Sequence, residues 1–189
     1  MLEFAILGIL TDGPLHGYEL KRRLAGSEHG FWTVSFGSLY PALRRIEKQG
    51  FVSVSAGETR RKVYQLTPDG KAYFQELLED PSAAEKERAF TLKLSFFRFL
   101  DTESRLGLLE RRRAHLTSRL VESRRSMKAS VSRTRQRMDA YTIALMRRSL
   151  SSTEADIAWL DELIENERAA RPKRKKPRGP SRRPGPNEI

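Results

Sequence analysis

The sequence predicts a mainly α-helical protein: a small unit of short helices and one β-hairpin, followed by an all-helical half. Three observations carry this. Apolar residues over 1–50 recur at helical spacing, the period changes to that of strands over 51–66, and residues 83–168 contain one glycine, Gly107, and no proline. The 189 residues are expected to divide into units at 1–80 and 83–168 and a basic segment at 169–189. Asp80-Pro81-Ser82 marks the first break, because proline cannot continue a helix interior and restricts the residue before it.

Composition excludes several functions. Hydrophobic residues make up 38% and charged residues 32%, a balance for a water-soluble globular chain. With no cysteine, disulfides, thiolate metal sites and thiol catalysis are excluded. No run approaches the ~18 to 20 apolar residues of a membrane span. Met1-Leu2-Glu3-Phe4 lacks the basic opening of a signal peptide, so the cytoplasm is the expected compartment. His16, His29 and His115 are scattered over different elements, and no metalloprotease helix, nucleophile elbow or phosphate loop occurs. No enzyme activity, cofactor or metal is expected. The net charge of +12 is unevenly spread: residues 1–80 are neutral, 81–168 carry +5 and 169–189 carry +7. Over half of the excess therefore lies outside both predicted units, and for the first unit only the local arrangement of charge is informative.

The elements follow in order. Leu2, Phe4, Ile6, Leu7, Ile9 and Leu10 predict a buried helix, ended by Thr11-Asp12-Gly13-Pro14. A second helix is expected from Gly17 to Ala25, with Tyr18, Leu20 and Leu24 facing inward and Lys21, Arg22 and Arg23 facing water. Phe31, Trp32 and Val34, in the connection 26–35, are expected to pack on the core. A third helix spans Gly37 to Gln49, with Leu39, Leu43 and Ile46 as its core stripe and Ser38, Arg44, Arg45 and Lys48 off it; Gly50 stops it. Phe51, Val52 and Val54, then Val63, Tyr64 and Leu66, predict a hairpin with a polar turn at Ala56-Gly57-Glu58-Thr59-Arg60. Thr67 then caps a further helix with Pro68 at its first position and Tyr73, Phe74, Leu77 and Leu78 on its packing face.

Three short helices and a hairpin in this order form a winged helix-turn-helix. A helix fits the major groove of duplex DNA, where base pairs present distinguishable donors and acceptors, provided its outer side is polar and its inner side holds it rigid. The third helix meets both conditions. Arg60, Arg61 and Lys62 sit near the hairpin tip, suited to phosphates or a narrow minor groove. Between Arg44 and Lys62 there are six basic and two acidic residues, so this side is positive although the unit is neutral. The plainer readings are a solvated charged face or a protein-docking winged helix. Single residues have plain readings too. Tyr18 reads as a core aromatic rather than a DNA contact, while Tyr40 is open between the two. Pro41 reads as a first-turn proline that fixes the helix start. Arg45 has Glu47 or Glu19 as an alternative partner.

These residues also resemble a known family. Leu2 to Leu10, His16-Gly17-Tyr18-Glu19-Leu20, Gly37-Ser38-Leu39-Tyr40-Pro41-Ala42-Leu43-Arg44-Arg45-Ile46-Glu47 and Arg61-Lys62-Val63-Tyr64-Gln65-Leu66-Thr67-Pro68-Asp69-Gly70 are similar to the PadR family of transcriptional regulators. The resemblance implies that the helix with Gly37, Ser38, Tyr40 and Pro41 reads double-stranded DNA. It implies that Tyr40 reaches a phosphate or base edge and that Arg60 to Lys62 touch the flanking backbone. The DNA-contacting set is then Ser38, Tyr40, Arg44, Lys48, Arg60, Arg61 and Lys62. Val63 departs from the family, which more often has an aromatic there.

The second half opens on an apolar stretch, Phe90 to Phe97 with Leu100. Leu109, Leu116, Leu120, Met127, Val131, Met138, Tyr141 and Leu145 follow at steps of 7, 4, 7, 4, 7, 3 and 4, one stripe along a long helix. Arg111, Arg112, Arg113, Arg124, Arg125, Arg133, Arg135 and Arg137 lie off the stripe. Ser151 and Glu154 resemble a capping box, predicting a restart through Ile157, Trp159, Leu160, Leu163 and Ile164. Such helices bury their stripe in a homodimer, which would match a palindromic operator, or in an intramolecular three-helix bundle. Phe90-Thr91-Leu92-Lys93-Leu94 and Trp159-Leu160-Asp161-Glu162-Leu163 resemble the longer C-terminal domain of one branch of the PadR family, which implies dimerisation and effector sensing. Some members of the family respond to phenolic acids or flat hydrophobic drugs. Phe96, Phe97, Tyr141 and Trp159 are the candidate lining of such an effector pocket, against the plainer reading as core. Arg171 to Arg183, expected to be disordered, reads as a DNA-grasping arm or a solvated run; the bacterial resemblance argues against a nuclear-localisation signal. The function expected is a sequence-specific dimeric repressor, the alternative a non-specific architectural DNA-binding protein.

Overall fold

The computed structural model describes residues 1–25, 36–56, 62–133 and 139–170. The expected packing of Phe31, Trp32 and Val34, the hairpin turn with Arg60 and Arg61, the side chains of Val131 and Arg133, the residues Arg135, Arg137 and Met138, and the expected disorder of 171–183 all lie outside the described residues.

Helix α1 (Leu2–Leu10) is buried from Phe4 through Leu10 without a break, so it is the centre around which the first unit packs. Strand β1 (Leu15–His16) follows, a two-residue element that periodicity did not reveal. Helix α2 (Gly17–Ala25) buries Leu20 and Leu24, but not Tyr18 as expected; Tyr18 is 65% exposed. Helix α3 (Phe36–Lys48) lays Leu39, Ala42, Leu43 and Ile46 into the core. Its end is fixed by Gly50, at φ 78°, where Gly50 N–H donates to the Glu47 carbonyl and Phe51 N–H to that of Ile46. That pair of bonds satisfies two of the terminal carbonyls and needs a residue tolerant of positive φ. Pro41 is not in the first turn. It lies inside α3, where its ring removes the N–H that would have met the Gly37 carbonyl.

Strands β2 (Val52–Ala56) and β3 (Lys62–Leu66) pair antiparallel, Val54 opposite Tyr64, and β1 adds to the far edge of β3 with Leu15 opposite Tyr64. Helix α4 (Pro68–Glu79) starts as expected: the Thr67 hydroxyl accepts from Gly70 N–H at 3.0 Å and donates to the Gly50 carbonyl at 2.7 Å. One side chain thus ties the start of α4 to the end of α3. Gly70 is required by space, since a Cβ there would lie 2.0 Å from the Phe51 carbonyl oxygen.

After a 3₁₀ turn at Pro81–Glu85 come α5 (Glu87–Leu94), a second 3₁₀ turn at Phe97–Phe99, α6 (Thr102–Arg133) and α7 (Ala140–Ala170). The second half is therefore not helical throughout, and the core does not stop at Pro81. Phe96 is 1% exposed and packs edge-on against Phe4 of α1 and Phe74 of α4, at 5.5 and 5.6 Å between ring centres. Lys93 is buried and donates to the Asp80 carbonyl at 2.5 Å, across the break between the halves. Burial holds its amine below the ordinary value, and the Asp80 charge opposes that shift.

The stripe read as one helix is shared by two. Leu109, Leu116 and Leu120 are buried on α6, whereas Tyr141 and Leu145 stand on α7, 83% and 67% exposed. Helix α7 does not restart at Ser151, which lies within it; the start is capped instead by Asp139, whose carboxylate accepts from Tyr141 N–H at 2.8 Å and the Thr142 hydroxyl at 2.5 Å. Arg112 does not face water. It is 5% exposed, its guanidinium donates to the Ala84 carbonyl at 3.0 Å, and it lies over the Phe90 ring. Helices α6 and α7 run antiparallel, joined by Glu110–Arg168 (2.7 Å), Arg105–Glu167 (3.1 Å), Arg113–Asp161 and Arg124–Glu154 (2.5 Å).

Two predictions follow from this packing. Gly70→Ala forces the Phe51 carbonyl away and is expected to cost about 1–3 kcal/mol in urea unfolding, with no change in helix content. The carboxyls of Asp80, Asp101 and Asp139 are all held below the ordinary 3.8, mainly by hydrogen bonds from Ser82, Ser104 and Thr142 respectively. A depressed folded value means their stabilisation is complete above 3.8 and lost as pH falls through the folded values. Asp139→Asn should therefore flatten the decline of the urea midpoint between about pH 5 and pH 2; an unchanged slope would exclude that cap as a contributor.

Candidate nucleic-acid interface

Helix α3 has two faces because its apolar residues fall at i, i+3, i+4 and i+7. With Leu39, Ala42, Leu43 and Ile46 all at 1% exposure or less, the helix cannot roll. Tyr40, Arg44 and Lys48, four apart, form one outward row, with Pro41 beside it. Ser38 and Arg45 are exposed on the flank. Arg45 pairs neither with Glu47 nor with Glu19: its Nε donates to Glu3 of α1 at 2.7 Å, an exposed pair that leaves the outer row unchanged. Lys62 is exposed at the start of β3. The structure thus brings Tyr40, Arg44, Lys48 and Lys62 onto one side, with Ser38 at its margin; Arg60 and Arg61 lie outside the described residues.

Between α2, α3 and β3 lies an open groove of about 770 Å³ lined by His16, Gly17, Tyr18, Glu19, Arg22, Tyr40, Lys62 and Tyr64. Each wall has a local cause. His16 precedes α2, and its N–H donates to the Glu19 carboxylate at 3.2 Å, half of a capping box that fixes the helix start. His16 Nδ1 lies 3.4 Å from the Lys62 carbonyl, a bond from α2's entry to β3 when that nitrogen carries the proton. Gly17 gives the Tyr40 side chain room: a Cβ there would sit 3.1 Å from its hydroxyl and 3.2 Å from its ring, so the tyrosine would have to give by a few tenths of an ångström. Tyr64 floors the groove at 4% exposure. Burial first, then Tyr40 and Glu47, push its phenol above 10.0, with Arg44 opposing, so it stays a neutral hydroxyl near pH 7.

The groove adds Tyr18, Arg22 and His16 to the expected set. Tyr18 was misassigned against its own spacing: it stands two residues from Leu20 and six from Leu24, steps that turn it away from their shared face, and that is the signal that could have placed it. Two exposed tyrosines, Tyr18 and Tyr40, and two cations, Arg22 and Lys62, around an open groove can hydrogen-bond and neutralise a polyanion without a covalent step. Among the described residues no group of His, Asp or Glu could hold a metal, and no helix is long and apolar enough to cross a membrane.

The expected effector lining is not brought together. Phe96 and Phe97 are core, at 1% and 8% exposure, whereas Tyr141 and Trp159 face outward on α7. A separate cavity of about 310 Å³ lies between α1, α4 and α5, with Phe4, Tyr73, Leu77, Leu92 and Lys93 among its walls.

Residues 6–76 match the Transcriptional regulator PadR-like family, and residues 88–166 match the family described as Virulence activator alpha C-term. The negative transcriptional regulator PadR of Bacillus subtilis is 23% identical over 174 residues, which cover 87% of this chain and 96% of that protein. The transcriptional regulator Rv3488 of Mycobacterium tuberculosis is 41% identical over 85 residues, 43% of this chain and 73% of that protein. A solved transcriptional regulator from Clostridium thermocellum aligns with a TM-score of 0.42 and 30% identity, over 45% of this chain and 84% of that one. With its helix-and-wing unit and the family match spanning it, the chain belongs to the PadR-like family of transcriptional regulators.

Proposed function

We propose that the chain is a sequence-specific DNA-binding repressor that acts as a homodimer on a palindromic operator. The observation that carries this is the two-faced α3: a fully buried inner side and, opposite it, a solvent-exposed row of Tyr40, Arg44 and Lys48. That row enters the major groove, and the α2–α3–β3 groove receives the adjacent sugar–phosphate strand, with Tyr18, Arg22 and Lys62 as its contacts. Arg60 and Arg61, which precede Lys62 in the sequence, supply further contacts to the backbone or minor groove. Repression is supported by the likeness to a protein named a negative regulator along nearly its whole length.

The homodimer is supported by apolar side chains left outward on the α6–α7 hairpin, Val121, Tyr141, Leu145 and Trp159. A two-fold pairing sets two α3 helices about one DNA turn, ~34 Å, apart. The architectural alternative draws on the +7 of residues 169–189. A footprint confined to discrete sites supports the repressor, and equal protection of random duplex supports the alternative.

Duplex fragments selected in vitro from genomic DNA provide the probe. Tyr40→Ala and Tyr18→Ala are each expected to weaken binding by about 1–3 kcal/mol, roughly 5- to 150-fold, with an unchanged circular dichroism spectrum. Arg61→Ala should lower affinity across all sequences alike. Unchanged affinity in all three variants would mean that another face is used. Sedimentation equilibrium should give twice the 21.7 kDa chain mass. Tyr141→Glu with Leu145→Glu should shift the protein toward a monomer and cost operator affinity; a wild-type monomer at micromolar concentration refutes the dimer.

A further inference from the structure

We infer that two copies of the chain pair α7 against α7, antiparallel, about a two-fold axis at Ala155, with Arg148 of one copy on the partner's Glu162. This rests on the homodimer reading above and gives that dimer a seam and a direction, neither of which that reading supplies.

The first ground is that α7 has a second face. Ile157, Leu160 and Ile164 turn to the shared core. On the opposite side stand Leu145, Arg148, Ser152, Ala155, Trp159 and Glu162, all of them exposed. Their steps are 3, 4, 3, 4 and 3, the heptad spacing that keeps one seam of a helix turned toward a partner helix. Trp159 is 44% exposed and Leu145 67%, so this face presents apolar area to solvent.

The second ground is the order of residues along the seam, which is complementary to its own reversal. Arg148 lies seven residues before Ala155 and Glu162 seven after it. With Ala155 at the axis, each arginine therefore meets the partner's Glu162, twice per dimer. Ser152 meets the partner's Trp159, a small side chain opposite a large one. Ala155 meets its own copy, where two methyl groups let the helices approach closely. Leu145 falls among the partner's Asn166 and the partner's Ala169. A parallel pair would instead set arginine on arginine and glutamate on glutamate, and would stack the two tryptophans on the axis. Charge and volume thus choose the same direction. Among the described residues neither Arg148 nor Glu162 has an ion pair within its own chain, so both are available to a partner.

The third ground is where the seam is anchored. Leu160 and Ile164 share one core with Phe96 and Phe4, so this end of α7 is tied to the winged helix. Ile164 lies nine residues from Ala155. At ~1.5 Å per residue the two anchors stand ~27 Å apart along the paired helices, on the scale of the ~34 Å turn between two half-sites.

The test exploits the absence of cysteine, which makes any introduced thiol the sole one. Ala155→Cys is expected to form a disulfide between copies under mild oxidation, because Cα atoms at the axis come within the ~4.4–6.8 Å that the bond spans. Leu145→Cys is not, since its two copies lie ~30 Å apart in the antiparallel pair; a parallel pair would crosslink both. Sedimentation equilibrium then reads the charges. Arg148→Glu and Glu162→Arg are each expected to weaken dimerisation ~10- to 100-fold by setting like charges face to face, and the two together in one chain to restore it to within ~3-fold of wild type. That restoration also shows that the single variants fold. A crosslink from Leu145→Cys, or none from Ala155→Cys, overturns the inference. So do single charge variants that associate like wild type, or a double variant no better than the singles. Each of those results leaves a dimer paired some other way and the homodimer reading intact, whereas a wild-type chain that is monomeric at micromolar concentration overturns both.

Discussion

The structure depends on the seating of α3 against α1. Four consecutive contacts of the inner stripe, Leu39, Ala42, Leu43 and Ile46, meet a helix that is itself buried from Phe4 to Leu10. Apolar burial is non-directional, yet here it fixes a direction, because a helix pinned along four positions has only one side left for water. Everything proposed for the outer row follows from that orientation. Neighbouring details serve the same end: the Gly50 turn stops the helix, Thr67 ties that stop to α4, and Gly17 lets the Tyr40 ring come close to α2.

The two halves are joined by packing as well as by sequence. Phe4, Phe74 and Phe96 form one aromatic cluster from α1, α4 and the segment after α5. Lys93 reaches across to the Asp80 carbonyl, and Arg98 to Asp12. A buried amine spending a hydrogen bond on a main-chain carbonyl is costly to strand, since the lost partner leaves a desolvated donor. The helical half therefore sits on the winged helix through contacts that a rotation between them would have to break together.

Much of this was legible in the sequence where one period dominated. The stripe of α3, the change of period at Phe51 and the Thr67-Pro68 start each rest on local chemistry that tertiary packing did not override. What escaped was decided by contact at a distance. β1 is too short to show alternation and exists because β3 offers it an edge. Tyr18 is the exception, a misread period: its step of two from Leu20 turns it away from the Leu20–Leu24 face. Arg112 was placed off the apolar stripe and nothing local marked Lys93 for burial; only the carbonyls of Ala84 and Asp80 explain why both are buried. The division of α6 from α7 was hidden because two packed helices carry the same period as one. Of the candidate site, Arg44, Lys48 and Lys62 were legible as polar positions off the core and Tyr40 was left open, whereas the α2 wall of the groove was not legible.

Three of the four ion pairs between α6 and α7 are exposed, and such pairs individually add little to stability; the fourth, Arg105–Glu167, is largely buried. Their value lies in alignment. Sliding one helix past the other by a turn, ~5.4 Å, would still let leucines meet leucines, but every arginine would lose its acid in the same movement. Greasy contact glues the hairpin without caring about phase, and the charges choose the phase. High ionic strength should thus blur the position of α7 along α6 well before it loosens the grip between them.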